Sequence, residues 1–170
     1  ASDRVDFEHL WDGFCPDEIK IYPNQILANA ELYEYWQRGE FIPYETHELV
    51  DLIASIKPGI PRYCRVNRVI RDIPSTNVVA GNRRTSLRLD VHNEMKRRGV
   101  RCECIRCREV RSRSVSAQAL IQHDLVYQAG AAEEHFLSLI TPDDRLAGFV
   151  RLSLPGPDSP DTGLEDLNLP

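Results

Sequence analysis

Between residues 45 and 57 the apolar side chains Leu49, Leu52, Ile53 and Ile56 recur at intervals of three and four, which predicts a helix with one buried stripe. Leu32, Tyr35 and Trp36 share a stripe over 30–38, with Gly39 just past its end, and predict a shorter helix. Upstream, Ile19-Lys20-Ile21-Tyr22 alternates and stops at Pro23, as a short strand does. Arg62 to Ile73 interleaves Val66, Val69 and Ile70 with Arg65, Arg68 and Arg71. That run suits a strand whose arginines emerge at its end, although arginine every third residue also fits helical phase. Strand, helix and strand at this spacing predict a parallel βα unit, of the kind that closes a barrel. Barrel chemistry gathers at the carboxyl ends of strands, which marks Lys20, Tyr22, Arg71 and Asp72 as candidate substrate-site residues or as ordinary strand-end polar groups.

The later pattern is different. Thr85 or Ser86 can cap a helix running to about Arg98 and ended by Gly99, but its stripe (Leu87, Leu89, Val91, Met95) is narrow. Residues 118–128 fit an extended or a helical segment. Glu134–Ile140 and Leu146–Leu154 read as two strands joined by the turn Thr141-Pro142-Asp143-Asp144. A lone hairpin is not stable in water, so further sheet is expected to receive it. The acidic, proline-rich residues 155–170 are expected to be mobile. Ala1–Pro16 carries Phe7, Leu10, Trp11 and Phe14 with no clean period.

Charge sharpens this division. Residues 57–113 hold sixteen Lys/Arg against five Asp/Glu, a net of +11, so the remainder carries −16 of the chain's total of −5. Eighteen of the twenty-one basic residues are arginine, which suits bidentate phosphate contact and base stacking. A basic block between acidic flanks reads as a nucleic-acid surface; the plainer alternative is a solvated face neutralised by those flanks. Arg83, Arg84, Arg88, Lys96, Arg97 and Arg98 crowd the 85–98 helix and leave most of it for a polyanion. No apolar run approaches the roughly 20 residues of a membrane span, and nothing at the start resembles a secretory segment. A cytoplasmic setting is expected.

Three of the five cysteines fall within Arg101-Cys102-Glu103-Cys104-Ile105-Arg106-Cys107-Arg108. Thiols at this spacing converge on one soft cation when a tight turn carries them, and zinc takes four such ligands at about 2.3 Å from sulfur. Neighbouring arginines favour the thiolate that metal binding requires. The fourth ligand is open among Cys64, placed first, Cys15, His92 and His123. A metal there would order an arginine-rich stretch that has little apolar surface of its own.

The runs FCPDEIKIYP, ELYEYWQRGEFIPY, ELVDLIASIKP, PRYCRVNRVIRDIPS, VVAGNRR, RCECIRCREV and EEHFLSLITPDDRLAGFVRLSLP cover nearly all of residues 6–154. Together they resemble the catalytic subunit of Elongator in its bacterial or archaeal form. The resemblance implies an α/β chain. Residues 1–80 would be the C-terminal βα units of a radical-SAM, TIM-like barrel, and 81–116 a basic helix with a Cys-rich, zinc-type linker. Residues 117–170 would begin a GNAT acetyltransferase domain with its first hairpin. It implies an enzyme that uses acetyl-CoA, SAM and a [4Fe-4S] cluster to place a carboxymethyl group at C5 of the wobble uridine of tRNA.

Arg62, Arg65, Arg68, Arg71, Arg83, Arg84 and Arg88 carry over as tRNA-binding candidates, with Lys96 and Arg97 beside them, and Cys102, Cys104 and Cys107 match the zinc-associated loop. The family's cluster-binding cysteine motif and its glycine-containing pyrophosphate loop have no counterpart in these 170 residues. The chain alone is therefore expected to be inactive, and no catalytic residue is assigned. Other readings are a zinc-stapled RNA-binding module without catalysis and a protein lysine acetyltransferase. A homodimer or larger assembly is compatible with the family.

Overall fold

The computed structural model describes residues 2–159 as a mixed α/β chain that divides into two compact units. Among these, residues 2–8 and 16–107 form the first, and 9–15 with 108–159 the second. The segment of the acidic tail from residue 160 on lies outside the described residues.

In the first unit, β1 (Glu18–Lys20) pairs in parallel with β3 (Arg65–Arg68), Ile19 opposite Val66. This is the expected parallel arrangement, with its second strand shorter than the 62–73 run. Between them lie β2 (Ile26–Leu27), α2 (Leu32–Gln37) and α3 (Thr46–Ile56). α3 starts where Glu48 reaches back: its carboxylate accepts the Glu45 backbone N–H at 2.8 Å. It buries Leu49, Ile53 and Ala54. Val78–Ala80, a short apolar run without evident role in the sequence, is β4, antiparallel to β2. α4 (Leu87–Arg97) packs beside α3 through Leu87, Val91 and Met95. Leu89, counted in its expected stripe, is 61% exposed. Gly99 ends the helix at φ +68°.

Residues 81–107 pack into the first unit through α4. The chain enters them through Gly81 at φ +91°, where a Cβ would come within 3.1 Å of the Asn24 carbonyl oxygen. Next to it Asn82 is wholly buried. Its Oδ1 accepts from Thr46 Oγ1 at 3.0 Å, its Nδ2 donates to the Arg84 carbonyl at 3.2 Å, and its own carbonyl accepts from Gln25 Nε2 at 2.6 Å. One residue therefore ties the segment before β2, α3 and the approach to α4 together. α1 (Ser2–His9), unforeseen in the sequence, buries no residue and is held by Arg4 to Asp51 and by Tyr44 to Asp3.

The second unit is an antiparallel sheet of β5 (Ile121–Ala129), β6 (Ala132–Ile140) and β7 (Leu146–Pro155), in that order. The expected hairpin is β6–β7, and β5 adds a third strand that the ambiguous 118–128 pattern left open. Phe136 and Ser138 are buried on one face, whereas Leu139, Val150, Leu152 and Leu154 leave the other apolar and exposed. No helix among the described residues is long and apolar enough to cross a membrane.

Candidate metal centre and basic surface

The sulfurs of Cys102, Cys104 and Cys107 all lie within 4.8 Å of one another. Backbone geometry brings them there. Past Gly99 the Val100 N–H returns to the Met95 carbonyl at 3.0 Å, so the chain folds back over the end of α4. The Ile105 N–H then donates to the Cys64 carbonyl at 2.9 Å, while Arg62 and Glu103 pair at 2.9 Å. These two bonds fasten the loop to the segment that leads into β3. The short helix α5 (Ile105–Arg108) follows, and the Cys107 N–H donates to the Cys104 carbonyl at 3.0 Å. Cys102 and Cys104 are buried and Cys107 is half-buried.

Of the four proposed completing ligands, Cys64 is buried but its sulfur is not in the group. Its part in the loop is the backbone bond to Ile105. Cys15 and His123 belong to the second unit, where Cys15 Sγ donates to the Gln128 carbonyl at 3.3 Å. His92, on α4, has Nε2 3.8 Å from Cys107 Sγ, although its nitrogen, like the Cys64 sulfur, is not within 4.8 Å of all three cysteine sulfurs. A sulfur and a nitrogen on one tetrahedral zinc stand about 3.6 Å apart, so the imidazole is near ligand spacing from one sulfur. The helical phase holds the clue: His92 follows the buried Val91 and precedes the buried Met95 by three.

Electrostatics agree with a cation-binding role. The thiols of Cys102 and then Cys107 donate to Cys104, joined by the N–H groups of Val66 and Cys107, and hold Cys104 far below the usual thiol range. Cys102 is driven the opposite way by its bonds to Cys104 and Cys107 and by burial. A soft divalent cation would displace the thiol protons and let all three sulfurs ionise. The donor set fits such an ion.

The basic residues separate into two groups. On β3, Arg65 is half-buried and Arg68 pairs with Asp72; beyond the strand Arg71 stands over the Tyr22 ring at 5.4 Å. Arg88, from α4, reaches this strand and donates to the carbonyls of Val66 and Asn67 at 3.3 and 3.0 Å. Arg83 donates to the Val79 carbonyl at 2.7 Å. Elsewhere, Arg84 pairs with Asp90, Arg97 with Glu94, and Arg98 with both Glu94 and Asp51, along a polar cleft between α3 and α4. Lys96 is exposed beside the cysteines, lining a hollow of about 310 Å³ with His92 and Cys107. Lys20 is exposed at the end of β1 opposite Arg68. Tyr22 lines a separate, largely apolar cavity of about 510 Å³ with Phe41 and Ile53. Local acids therefore already engage several of the arginines. Exposed pairs of this kind are worth at most about 1 kcal/mol, little enough for a phosphate to displace them.

A family model described as the radical SAM C-terminal domain matches residues 16–97. A tRNA uridine(34) acetyltransferase of Methanocaldococcus infernus is 38% identical over 90% of the chain, which spans 30% of that protein. Human (Homo sapiens) Elongator complex protein 3 is 36% identical over 82% of the chain, which spans 26% of it. Among solved structures, an N-terminally deleted archaeal Elp3 of Methanocaldococcus infernus aligns with a TM-score of 0.84 at 35% identity, covering 91% of this chain and 38% of that one. The chain thus spans about a third of the length of the relatives it matches. With most of its residues so matched, the chain belongs to the family of the Elongator catalytic subunit and the tRNA uridine(34) acetyltransferases.

Proposed function

We propose that this chain is the substrate-gripping portion of an enzyme that modifies the wobble uridine of tRNA, with a structural zinc holding its basic elements in place. The observation that carries the reading is the fastening of one arginine-bearing strand to one arginine-bearing helix. Arg88 bridges α4 to β3, and the cysteine loop after α4 bonds back to Cys64 just before that strand. Relatives named tRNA uridine(34) acetyltransferase, together with the radical SAM C-terminal match, support the RNA substrate and the reaction class.

In this reading residues 1–80 end a radical-SAM barrel, 81–116 are the basic helix and metal loop, and 117–170 begin a GNAT domain. When bound in the whole enzyme, SAM with a [4Fe-4S] cluster supplies radical chemistry and acetyl-CoA the two-carbon unit for carboxymethylation at C5. The residues of this chain bind and orient the tRNA in the cytoplasm. Arg62, Arg65, Arg68, Arg71, Arg83, Arg84, Arg88, Lys96 and Arg97 meet the phosphates, and Lys20 and Tyr22 lie toward the substrate. Cys102, Cys104 and Cys107 hold zinc with His92, in place of Cys64, as fourth ligand.

Changing Arg83 and Arg84 together to Glu tests the RNA reading. tRNA affinity measured across a salt series should fall by about 1 kcal/mol or more, with a shallower salt dependence, because fewer counterions are released. Unchanged affinity and slope would refute it.

A further inference from the structure

The three clustered cysteines differ in how far solvent reaches them. Cys104 is 0% exposed and Cys102 8%, whereas Cys107 is half-buried. Cys102 and Cys107 both line the hollow of about 310 Å³ beside Lys96, and Cys104 does not. The trio is therefore open on one side, with Cys107 at the mouth and Cys102 next to it. The other two cysteines stand apart: Cys64 is wholly buried outside the group, and Cys15 belongs to the second unit. An accessible thiolate with a second sulfur in reach is the arrangement of redox-sensing cysteines. Reach is short here. The sulfurs lie within 4.8 Å of one another, and a disulfide brings two of them to about 2.05 Å, a closure of less than about 3 Å that side-chain rotation can supply.

We propose that Cys107 and Cys102 form a peroxide-sensitive disulfide whose closure releases the metal. The inference rests on the zinc reading above and adds a regulation of that site. The Cys107 thiolate attacks hydrogen peroxide: an S–O bond forms, the O–O bond breaks, and the departing hydroxide takes up a proton to become water. The Cys102 sulfur then attacks the Cys107 sulfur. An S–S bond forms, the S–O bond breaks, and a second hydroxide leaves as water. Each sulfur gives up one electron and the peroxide gains two, so the step needs no other oxidant. Closure removes two of the three thiolate ligands. Cys104 and His92 that remain are too few for a tetrahedral zinc. A small dithiol reopens the bond by exchange, and the metal can return.

The test exposes the zinc-loaded chain to hydrogen peroxide. Zinc release is followed with a chromophoric chelator, free thiols are titrated, and the bridged cysteines are assigned by tandem mass spectrometry. One zinc should leave for every two thiols lost, with Cys102 joined to Cys107, and dithiothreitol with added zinc should restore both. Cys15→Ser, which removes the other half-buried thiol, should release zinc as wild type does. A chain that keeps its zinc and all five thiols, under peroxide that fully oxidises a free cysteine, overturns the switch and spares the zinc reading. Zinc loss through a disulfide that includes Cys104, or through sulfonic acid at Cys107 with no disulfide, also overturns it. A wild-type chain that takes up no zinc but forms the Cys102–Cys107 bond overturns the zinc reading and keeps the oxidation site.

Discussion

α3 and α4 are each eleven residues long and pack side by side, yet they are ordered by different means. α3 carries its order in its own sequence. It has a reciprocal glutamate at its start and an apolar stripe deep enough to bury Leu49, Ile53 and Ala54. α4 also buries three side chains, but the rest of its surface is charged, and no side chain caps its start. Ser86 Oγ, one of the two expected caps with Thr85, bonds to Asp90 instead, at 3.3 Å. What further secures α4 is the turn at Gly99 and the cysteine loop beyond it, together with its own Arg88 on the β3 carbonyls. A helix so heavily charged has few positions left for core, and these attachments make up the deficit.

Metal removal should break the equivalence of the two helices most strongly. Zinc held a thousandfold above its dissociation constant adds about 4 kcal/mol. Chelation should therefore cost hydrogen-exchange protection across 92–107 while α3 keeps most of its own; equal loss in both helices would contradict the tether. Next in size, Ile53→Ala should remove about 3 kcal/mol through the cavity it leaves. Urea unfolding should show that loss with zinc or without it, since α3 does not depend on the loop. Asn82→Ala should cost about 2 kcal/mol, because Thr46 and the Arg84 backbone lose a buried partner. It should also weaken tRNA binding by loosening the approach to α4.

The smallest effect concerns acid. Hydrogen bonds from Arg97 and then Arg98 hold the Glu94 carboxyl at about 2 instead of its ordinary 4.5. Its contribution is complete above 4.5 and is lost as pH falls through about 2. Glu94→Gln should flatten the stability profile across that window, and a profile parallel to wild type would sever Glu94 from the order of α4.

Legibility in the sequence followed the same contrast. α3, the end of α4 at Gly99 and the β6–β7 pair could be read, because apolar period and turn chemistry are local signals. α1 escaped because it buries nothing and so leaves no stripe. β5 stayed ambiguous because only Leu125, Tyr127 and Ala129 along it are even half-buried. At the candidate site, the spacing of Cys102, Cys104 and Cys107 suggested convergence without the structure. Residue type favoured Cys64 over His92, and the phase of α4 was needed to set an imidazole 3.8 Å from Cys107. Asn82 and Lys57 look like a loop asparagine and a helix-end lysine until burial is known. The +11 block already counts Asp90 and Glu94; folding lowers its free charge further by bringing Asp51, from outside the block, onto Arg98.

The most direct measurement is zinc-edge X-ray absorption on the purified chain. Three sulfurs at about 2.3 Å and one nitrogen at about 2.0–2.1 Å are expected. Stoichiometric zinc surrounded only by nitrogen and oxygen, or a chain that retains no metal, would contradict the clasp on which the ordering of the basic helix depends.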